Sequence, residues 1–249
     1  MASWPQWLHR LGSPREFYRL SGRALPWLAV AAAGVSMVGL VWGLAFAPPD
    51  ARQGHSFRIA YLHVPVSFLA LAGYYLMALA GAVGLVWRVK LAHMTLRAAA
   101  RVGAAFTFVA LLTGALWGKP TWGTYWVWDA RITSMLILFF LYLGVIALGQ
   151  AYRGERADRA AAVLALVGTV NVPIIYKSVD WWYTLHQPAT IKLTGTTTMH
   201  PAMLHPLLVC IAGFYLFYAL LLVLHVRAEI LAGERRTRWV RELALGERG

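Results

Sequence analysis

Residues 59–87, IAYLHVPVSFLALAGYYLMALAGAVGLVW, contain no Asp, Glu, Lys or Arg. An α-helix rises about 1.5 Å per residue, so about 20 apolar residues cross the roughly 30 Å hydrocarbon core of a membrane. This run is therefore long enough for one transmembrane helix. The rest of the chain has the same character, because 59% of the 249 residues are hydrophobic and only 13% are charged. That composition is typical of a membrane protein.

Charged residues divide the whole chain into six uncharged segments of this kind. We predict an all-α integral membrane protein, a bundle of six transmembrane helices that forms a single domain over residues 1–249. The predicted spans are about 26–47, 59–87, 102–118, 132–152, 160–176 and 206–226. The absence of charge inside them argues against an ion or proton relay through the bundle. Asn171, followed by Pro173, predicts a kink in the fifth span.

The basic residues are unevenly distributed between the two ends of these spans. Of the 23 Lys and Arg residues, 17 fall in the N-terminal segment, the loops after the second and fourth spans, and the C-terminal tail. The positive-inside rule therefore places both termini in the cytoplasm. The formal net charge of +13 is explained by this topology and by contact with anionic membrane lipid. We expect no nucleic-acid binding, since no basic stripe extends beyond a loop.

The cytoplasmic N-terminal segment carries a helix-start signal, Ser13-Pro14-Arg15-Glu16. Ser and Glu at this spacing form a capping box, and Pro is favoured at the first helical position. The pattern predicts a short helix on the cytoplasmic surface, with Phe17 and Leu20 facing lipid.

The loop between the third and fourth spans is rich in aromatic residues. Five of them lie within residues 117–128, namely Trp117, Trp122, Tyr125, Trp126 and Trp128. If residues 122–129 are helical, Trp122, Tyr125, Trp126 and Asp129 share one face, while Gly118 and Gly123 leave room for a close approach or a sharp bend. An aromatic belt at the membrane interface and a platform for a flat ligand both fit this spacing.

Two histidines lie on the same non-cytoplasmic side. His63 lies five residues into the second span, where a histidine indicates either a functional site or a buried imidazole bonded to a carbonyl. His186 follows Trp181, Trp182 and Tyr183 in the last outer loop and, taken alone, fits a solvated loop residue. Together the two imidazoles could approach one metal from opposite sides, as in haem ligation. The choice is not forced, because His55, His200 and His205 lie on this side too.

Catalytic motifs are missing from the sequence. Cys210 is the only cysteine, so neither thiol exchange nor covalent haem attachment through a Cys pair is available. Asp129 and Asp180 do not form a credible acid–base pair, and there is no activated serine motif. The chain also has no Gly-rich phosphate loop, so any use of ATP would belong to a partner. We expect a binding protein and not an enzyme.

Three motifs carry a family resemblance. Residues 117–134, WGKPTWGTYWVWDARITS, resemble the tryptophan-rich WWD signature of haem-handling proteins in cytochrome c biogenesis. Together with SVDWWYTLHQ at 178–187 and YLHVP at 61–65, the pattern resembles the haem exporter protein C (CcmC) family over roughly residues 58–225. Tyr125 stands where a further tryptophan is expected, and it retains an aromatic face.

The resemblance implies a function and a set of site residues. It implies a protein of the bacterial inner (cytoplasmic) membrane that holds haem b as a transient cargo at the periplasmic face. The cargo is then loaded onto a membrane-anchored haem chaperone, CcmE, in a complex with the ABC-transporter subunits CcmA and CcmB and the small membrane protein CcmD. His63 and His186 match the axial ligands of the haem iron, and Trp117–Asp129 matches the haem-presenting segment. Arg58 and Arg131 match family positions, and we expect them to meet haem propionates or the chaperone.

Three other interpretations stay open. A transporter that moves haem through its own bundle predicts polar residues along a path between helices, yet the spans offer mainly Asn171 and a few Ser and Thr. A haem-lyase-type synthase component would need a large periplasmic domain for apocytochrome, which this chain lacks. A purely structural aromatic belt is the remaining possibility if no haem binds.

Overall fold

The fold is that of a computed structural model that describes residues 12–152, 154–186, 197 and 199–245. Parts of the predicted basic segments (residues 1–11, 153 and 246–249) and the end of the SVDWWYTLHQ motif (Gln187) lie outside the described residues. Within the described residues there is no β-strand, and the α-helices are α1 (Pro14–Val41), α2 (Ala60–Trp87), α3 (Lys90–Trp122), α4 (Ala130–Ala151), α5 (Glu155–Gly168), α6 (Asn171–Trp181), α7 (Pro201–Gly233) and α8 (Arg238–Leu245).

Six helical stretches among the described residues are long and apolar enough to cross a membrane. They are Pro14–Phe46, His55–Trp87, Lys90–Trp122, Ala130–Ala151, Glu155–Trp181 and Pro201–Gly233. Each overlaps one predicted span, so the all-α class and the number of spanning helices are confirmed. The chain is a multi-pass membrane protein. Backbone groups in lipid must bond within their own segment, which is why apolar runs of this length fold as helices.

The fifth crossing is made of two helices, α5 and α6, interrupted at Thr169 and Val170. Pro173 has no backbone N–H, so it cannot donate to residue 169 in a continuous helix. The Asn171 side chain donates from Nδ2 to the Ser134 carbonyl at 2.9 Å and thereby ties α6 to α4. The fifth crossing is thus interrupted at the place where the sequence predicts a kink.

The interior of the bundle is closely packed. Helix α2 pairs with α3, and α1 pairs with α7. A Cβ atom added at Gly103 would lie 2.3 Å from the Tyr142 ring, so only glycine allows α3 and α4 to approach this closely. The Tyr142 hydroxyl donates to the Ala70 carbonyl at 2.8 Å, and Leu69, Ala70 and Tyr142 are at most 1% exposed.

The helices extend further than the uncharged segments because charged residues at their ends form pairs. Arg97 of α3 bonds to Glu229 of α7 at 2.7 Å and also pairs with Asp158 of α5. Arg101 pairs with the other Glu229 oxygen at 2.6 Å. These ion pairs therefore join α3, α5 and α7 at the end of the bundle where the described part of the chain begins and ends.

The prediction of a separate N-terminal surface helix is wrong. Ser13 does cap a helix, since its hydroxyl accepts from the Glu16 backbone N–H at 3.5 Å. That helix is α1 itself, which continues to Val41 with Pro26 in its interior. Phe17 packs against a buried cluster that includes Met94 and Ile230, so it does not face lipid, whereas Leu20 is half exposed.

Candidate functional site

Six antiparallel crossings place the connections 47–59, 123–129 and 182–186 at the end of the bundle opposite to both described chain ends. We call this the site end. Every residue that the sequence singled out as a candidate ligand or aromatic contact lies on it or within the adjoining helix turns.

His63 is the most deeply buried of the candidate ligands. It occupies the first turn of α2 and is 9% exposed. Its Nδ1 lies 3.0 Å from the Thr113 hydroxyl of α3, and its ring meets Trp117 edge-on with centroids 5.6 Å apart. A Cβ atom at Gly114 would lie only 3.0 Å from the imidazole Cε1, so this glycine makes room for the ring.

His186 lies beside His63, although the two are distant in sequence. Their ring centroids are 6.4 Å apart and the ring planes are inclined by 32°. Metal–imidazole bonds are about 2 Å long and a ring nitrogen lies about 1.2 Å from its centroid, so two imidazoles on opposite sides of one metal ion have centroids roughly 6 Å apart. The separation therefore suits two axial ligands. Trp122 meets His186 edge-on at 5.9 Å.

Asp129 positions the backbone of His186 through Thr184. One carboxylate oxygen caps α4 by accepting from the Ile132 N–H at 2.8 Å. The other accepts a hydrogen bond from the Thr184 hydroxyl. The Thr184 oxygen in turn accepts from the His186 backbone N–H at 3.1 Å. The helix start, the carboxylate and the histidine backbone thus form one chain of hydrogen bonds.

Trp117 is fixed on two sides. Its indole Nε1 donates to the Gln53 side-chain oxygen at 2.8 Å, and its ring packs edge-on against Phe57 at 5.8 Å as well as against His63. Gln53 is itself held by the connection before α2, where its backbone N–H donates to Asp50 at 2.8 Å. Trp117 therefore supports the imidazole and has little freedom to reorient.

The helix considered for residues 122–129 does not form, so Trp122, Tyr125, Trp126 and Asp129 do not share a helical face. Helix α3 ends at Trp122, and Gly123 follows with φ +81°, a left-handed conformation that favours glycine. The turn brings the Thr124 carbonyl back over Gly118, where an added Cβ would lie 3.1 Å from that oxygen and 2.9 Å from the indole of Trp122, one helix turn further on. The expected close approach and sharp bend at these two glycines are confirmed.

The remaining aromatic residues form an exposed rim on the site end. Tyr125 is 56% exposed and Trp128 is 76% exposed. Trp126 packs edge-on against Trp128 at 5.4 Å, and its buried Nε1 has no hydrogen-bond partner. Trp181, Trp182 and Tyr183 are also exposed. Exposed indoles suit an interfacial belt and equally suit a flat amphipathic ligand.

The two candidate arginines differ in their surroundings. Arg58 donates from Nη2 to the Ala47 carbonyl at 3.0 Å, which ties the turn before α2 to the end of the first crossing, and its buried Nε has no partner. Arg131, in the first turn of α4, is close enough to interact electrostatically with His63 and with Asp129. Arg131 is therefore the cation nearer to the histidine pair.

The other histidines of the site end do not join this pair. His55, His200 and His205 are exposed, and His200 Nδ1 accepts from the Ala202 N–H at 3.2 Å as the cap of α7. Among the described residues, no group of three or more His, Cys, Asp or Glu could hold a metal ion. Two imidazoles alone suit a metal whose other coordination positions are filled by its own ligand.

Three supporting residues were missed by the sequence reasoning, namely Thr113, Gln53 and Thr184. Thr113 carries a weak signal, since a polar residue inside an apolar span often bonds across helices. Gln53 and Thr184 carry none, because their partners lie 64 and 55 residues away in the chain.

Comparison with known proteins identifies the family of this chain. A profile described as Heme exporter protein C matches residues 7–241. The chain is similar to Heme exporter protein C of Escherichia coli strain K12, with 50% identity over 96% of each chain. It is also similar to Heme exporter protein C of Haemophilus influenzae, with 46% identity over 96% of this chain and 98% of the relative. The Bradyrhizobium diazoefficiens protein of the same name is 49% identical over 92% of this chain and 86% of the relative. The chain belongs to the heme exporter protein C family.

Proposed function

We propose that the chain binds haem at the periplasmic face of the bacterial inner membrane during cytochrome c maturation. The cargo, haem b, is held transiently and is passed to the membrane-anchored chaperone CcmE. This takes place in a complex with the ABC-transporter subunits CcmA and CcmB and the small membrane protein CcmD. The name shared by the relatives supports haem as the cargo.

The observation that carries the proposal is the pair of imidazoles 6.4 Å apart. His63 and His186 come from a helix and a loop, and each ring is supported edge-on by an indole, Trp117 or Trp122. A bis-imidazole site satisfies both free positions of a porphyrin-bound iron. The exposed aromatic rim and the nearby Arg131 cation match the two parts of haem, an apolar ring and two carboxylates.

Transfer of haem to a partner at the membrane surface fits the structure better than passage of haem through the bundle. Leu69, Ala70 and Tyr142 fill the interior below His63, so this region offers haem no path between the helices. A site at the end of the bundle leaves one side of the cargo accessible to a partner. In this proposal the chain binds, orients and releases haem without catalysing a reaction.

The ligand assignment is tested by the visible spectrum of the chain purified from haem-replete cells. We expect His63→Ala and His186→Ala to lose the haem absorbance of the wild type, because each removes one axial ligand. His205→Ala, at an exposed histidine of the same end, is the matched control and keeps the spectrum. Wild-type spectra in both ligand variants would refute the assignment.

The transfer step needs a separate experiment. Haem-loaded chain is mixed with haem-free CcmE, and haem is measured in each protein after separation. Transfer to CcmE supports the proposal. Direct transfer to apocytochrome, with none to CcmE, would instead support the lyase-type interpretation, and haem flux in proteoliposomes containing this chain alone would support the transporter.

A further inference from the structure

Thr113 contacts His63 in a way that fixes the direction of their hydrogen bond. Its side chain is 5% exposed, and its hydroxyl lies 2.7 Å from the Val109 carbonyl and 3.2 Å from the Ala110 carbonyl of its own helix. A carbonyl oxygen only accepts, so the single hydroxyl hydrogen of Thr113 is directed to these carbonyls. Towards His63 Nδ1, at 3.0 Å, the Thr113 oxygen can then only accept.

The second ring nitrogen of His63 is consequently the one without a proton. A neutral imidazole carries one hydrogen, and if this hydrogen is on Nδ1, a lone pair remains on Nε2. Ser67, one turn further along α2, has its hydroxyl 3.4 Å from Nε2. This distance is at the long limit of a hydrogen bond, so Nε2 has only a weak donor beside it.

We propose that Thr113 is a positioning residue that holds His63 in the tautomer with its proton on Nδ1, so that Nε2 is the nitrogen offered to the haem iron. The inference rests on the proposed function and adds to it which ring nitrogen binds and what selects that nitrogen. Gly114 accommodates the imidazole Cε1 in the same turn of α3, so one helix turn both seats the ring and sets its tautomer. A hydrogen bond to the far nitrogen also makes the ligating nitrogen more basic.

The tautomer can be measured in the haem-free wild-type chain by nitrogen NMR with labelled histidine. The His63 signals are assigned by their disappearance in His63→Ala. We expect a protonated Nδ1 and an unprotonated Nε2. The reverse pattern would overturn the inference, whether or not the chain is later shown to bind haem.

The consequence for haem is tested by comparing Thr113→Val with Thr113→Ser. Valine has nearly the same shape but no oxygen, so we expect haem affinity to fall about 10- to 100-fold, the usual effect of losing a residue that orients a metal ligand. We also expect the midpoint potential of the bound haem to become more positive, because a less basic imidazole stabilises ferric iron less. Thr113→Ser keeps the acceptor and restores both quantities.

The two proposals fail in different ways. Wild-type affinity and an unchanged midpoint in Thr113→Val would refute the role of Thr113 while leaving the histidine ligands in place. Wild-type haem spectra in both His63→Ala and His186→Ala would refute the ligand assignment itself. If Thr113→Val does not accumulate, the tautomer of the wild-type chain decides the inference.

Discussion

Replacing Asp129 with alanine separates its two structural roles. The substitution removes the cap of α4, which costs about 1 kcal/mol of helix stability, and it removes the bond to Thr184. Hydrogen bonds to charged groups contribute about 1.5–3 kcal/mol, and we take the lower end because Asp129 and Thr184 are only half-buried. Since 1.4 kcal/mol corresponds to tenfold in affinity, releasing His186 should weaken haem binding roughly tenfold.

The assay is a haem titration of the purified chain in detergent, followed by absorbance, together with thermal unfolding. Thr184→Val removes the link to His186 but keeps the cap of α4, so it should bind haem as weakly as Asp129→Ala while unfolding closer to the wild-type temperature than Asp129→Ala does. Asp129→Asn keeps a capping oxygen and should be as stable as the wild type. If Asp129→Ala and Thr184→Val both bound haem with wild-type affinity, the carboxylate would not restrain His186.

Two further substitutions test packing around the site and in the bundle. Gly103→Ala places a methyl group 2.3 Å from the Tyr142 ring and should destabilise the chain by about 1–3 kcal/mol. The control is Gly149→Ala, whose Cβ meets nothing within 4 Å, and it should unfold at or slightly above the wild-type temperature. An equal loss of stability in both variants would contradict the packing argument. Gln53→Leu removes the oxygen that accepts the hydrogen bond from the Trp117 indole, and it should lower haem retention by less than His63→Ala does. Gln53→Glu keeps an accepting oxygen and should retain haem. Equal haem retention in the leucine and glutamate variants would show that this hydrogen bond is unimportant.

The class of the fold and the number of crossings could be predicted because transfer into lipid is a local property of the chain. An uncharged run of about 20 residues has essentially one way to satisfy its backbone in hydrocarbon. Turn chemistry is local too, so the possible bend at Gly123 and the break near Pro173 could be predicted from the sequence. A helix over residues 122–129 follows from the aromatic spacing alone. It does not form because Gly123 ends one helix and Asp129 begins the next.

The support of the two imidazoles could not be predicted, because it depends on packing between helices. The sequence predicts that Phe17 faces lipid, whereas in the structure it packs against residues of α3 and α7. Likewise, nothing near Thr113 or Gln53 in sequence indicates that their partners are His63 and Trp117. The sequence identified which residues could bind, and the arrangement of the helices identified which residues hold them.

The two histidines differ in the contacts that hold them in place. His63 is anchored within a membrane-spanning helix and is buried against α3, whereas His186 follows the end of α6 and is tied to α4 through Thr184 and Asp129. Moving His186 aside disrupts its link to Asp129 through Thr184, while moving His63 requires repacking against α3. Under the proposed function, a partner that displaces His186 would therefore release haem without repacking the membrane-spanning helices.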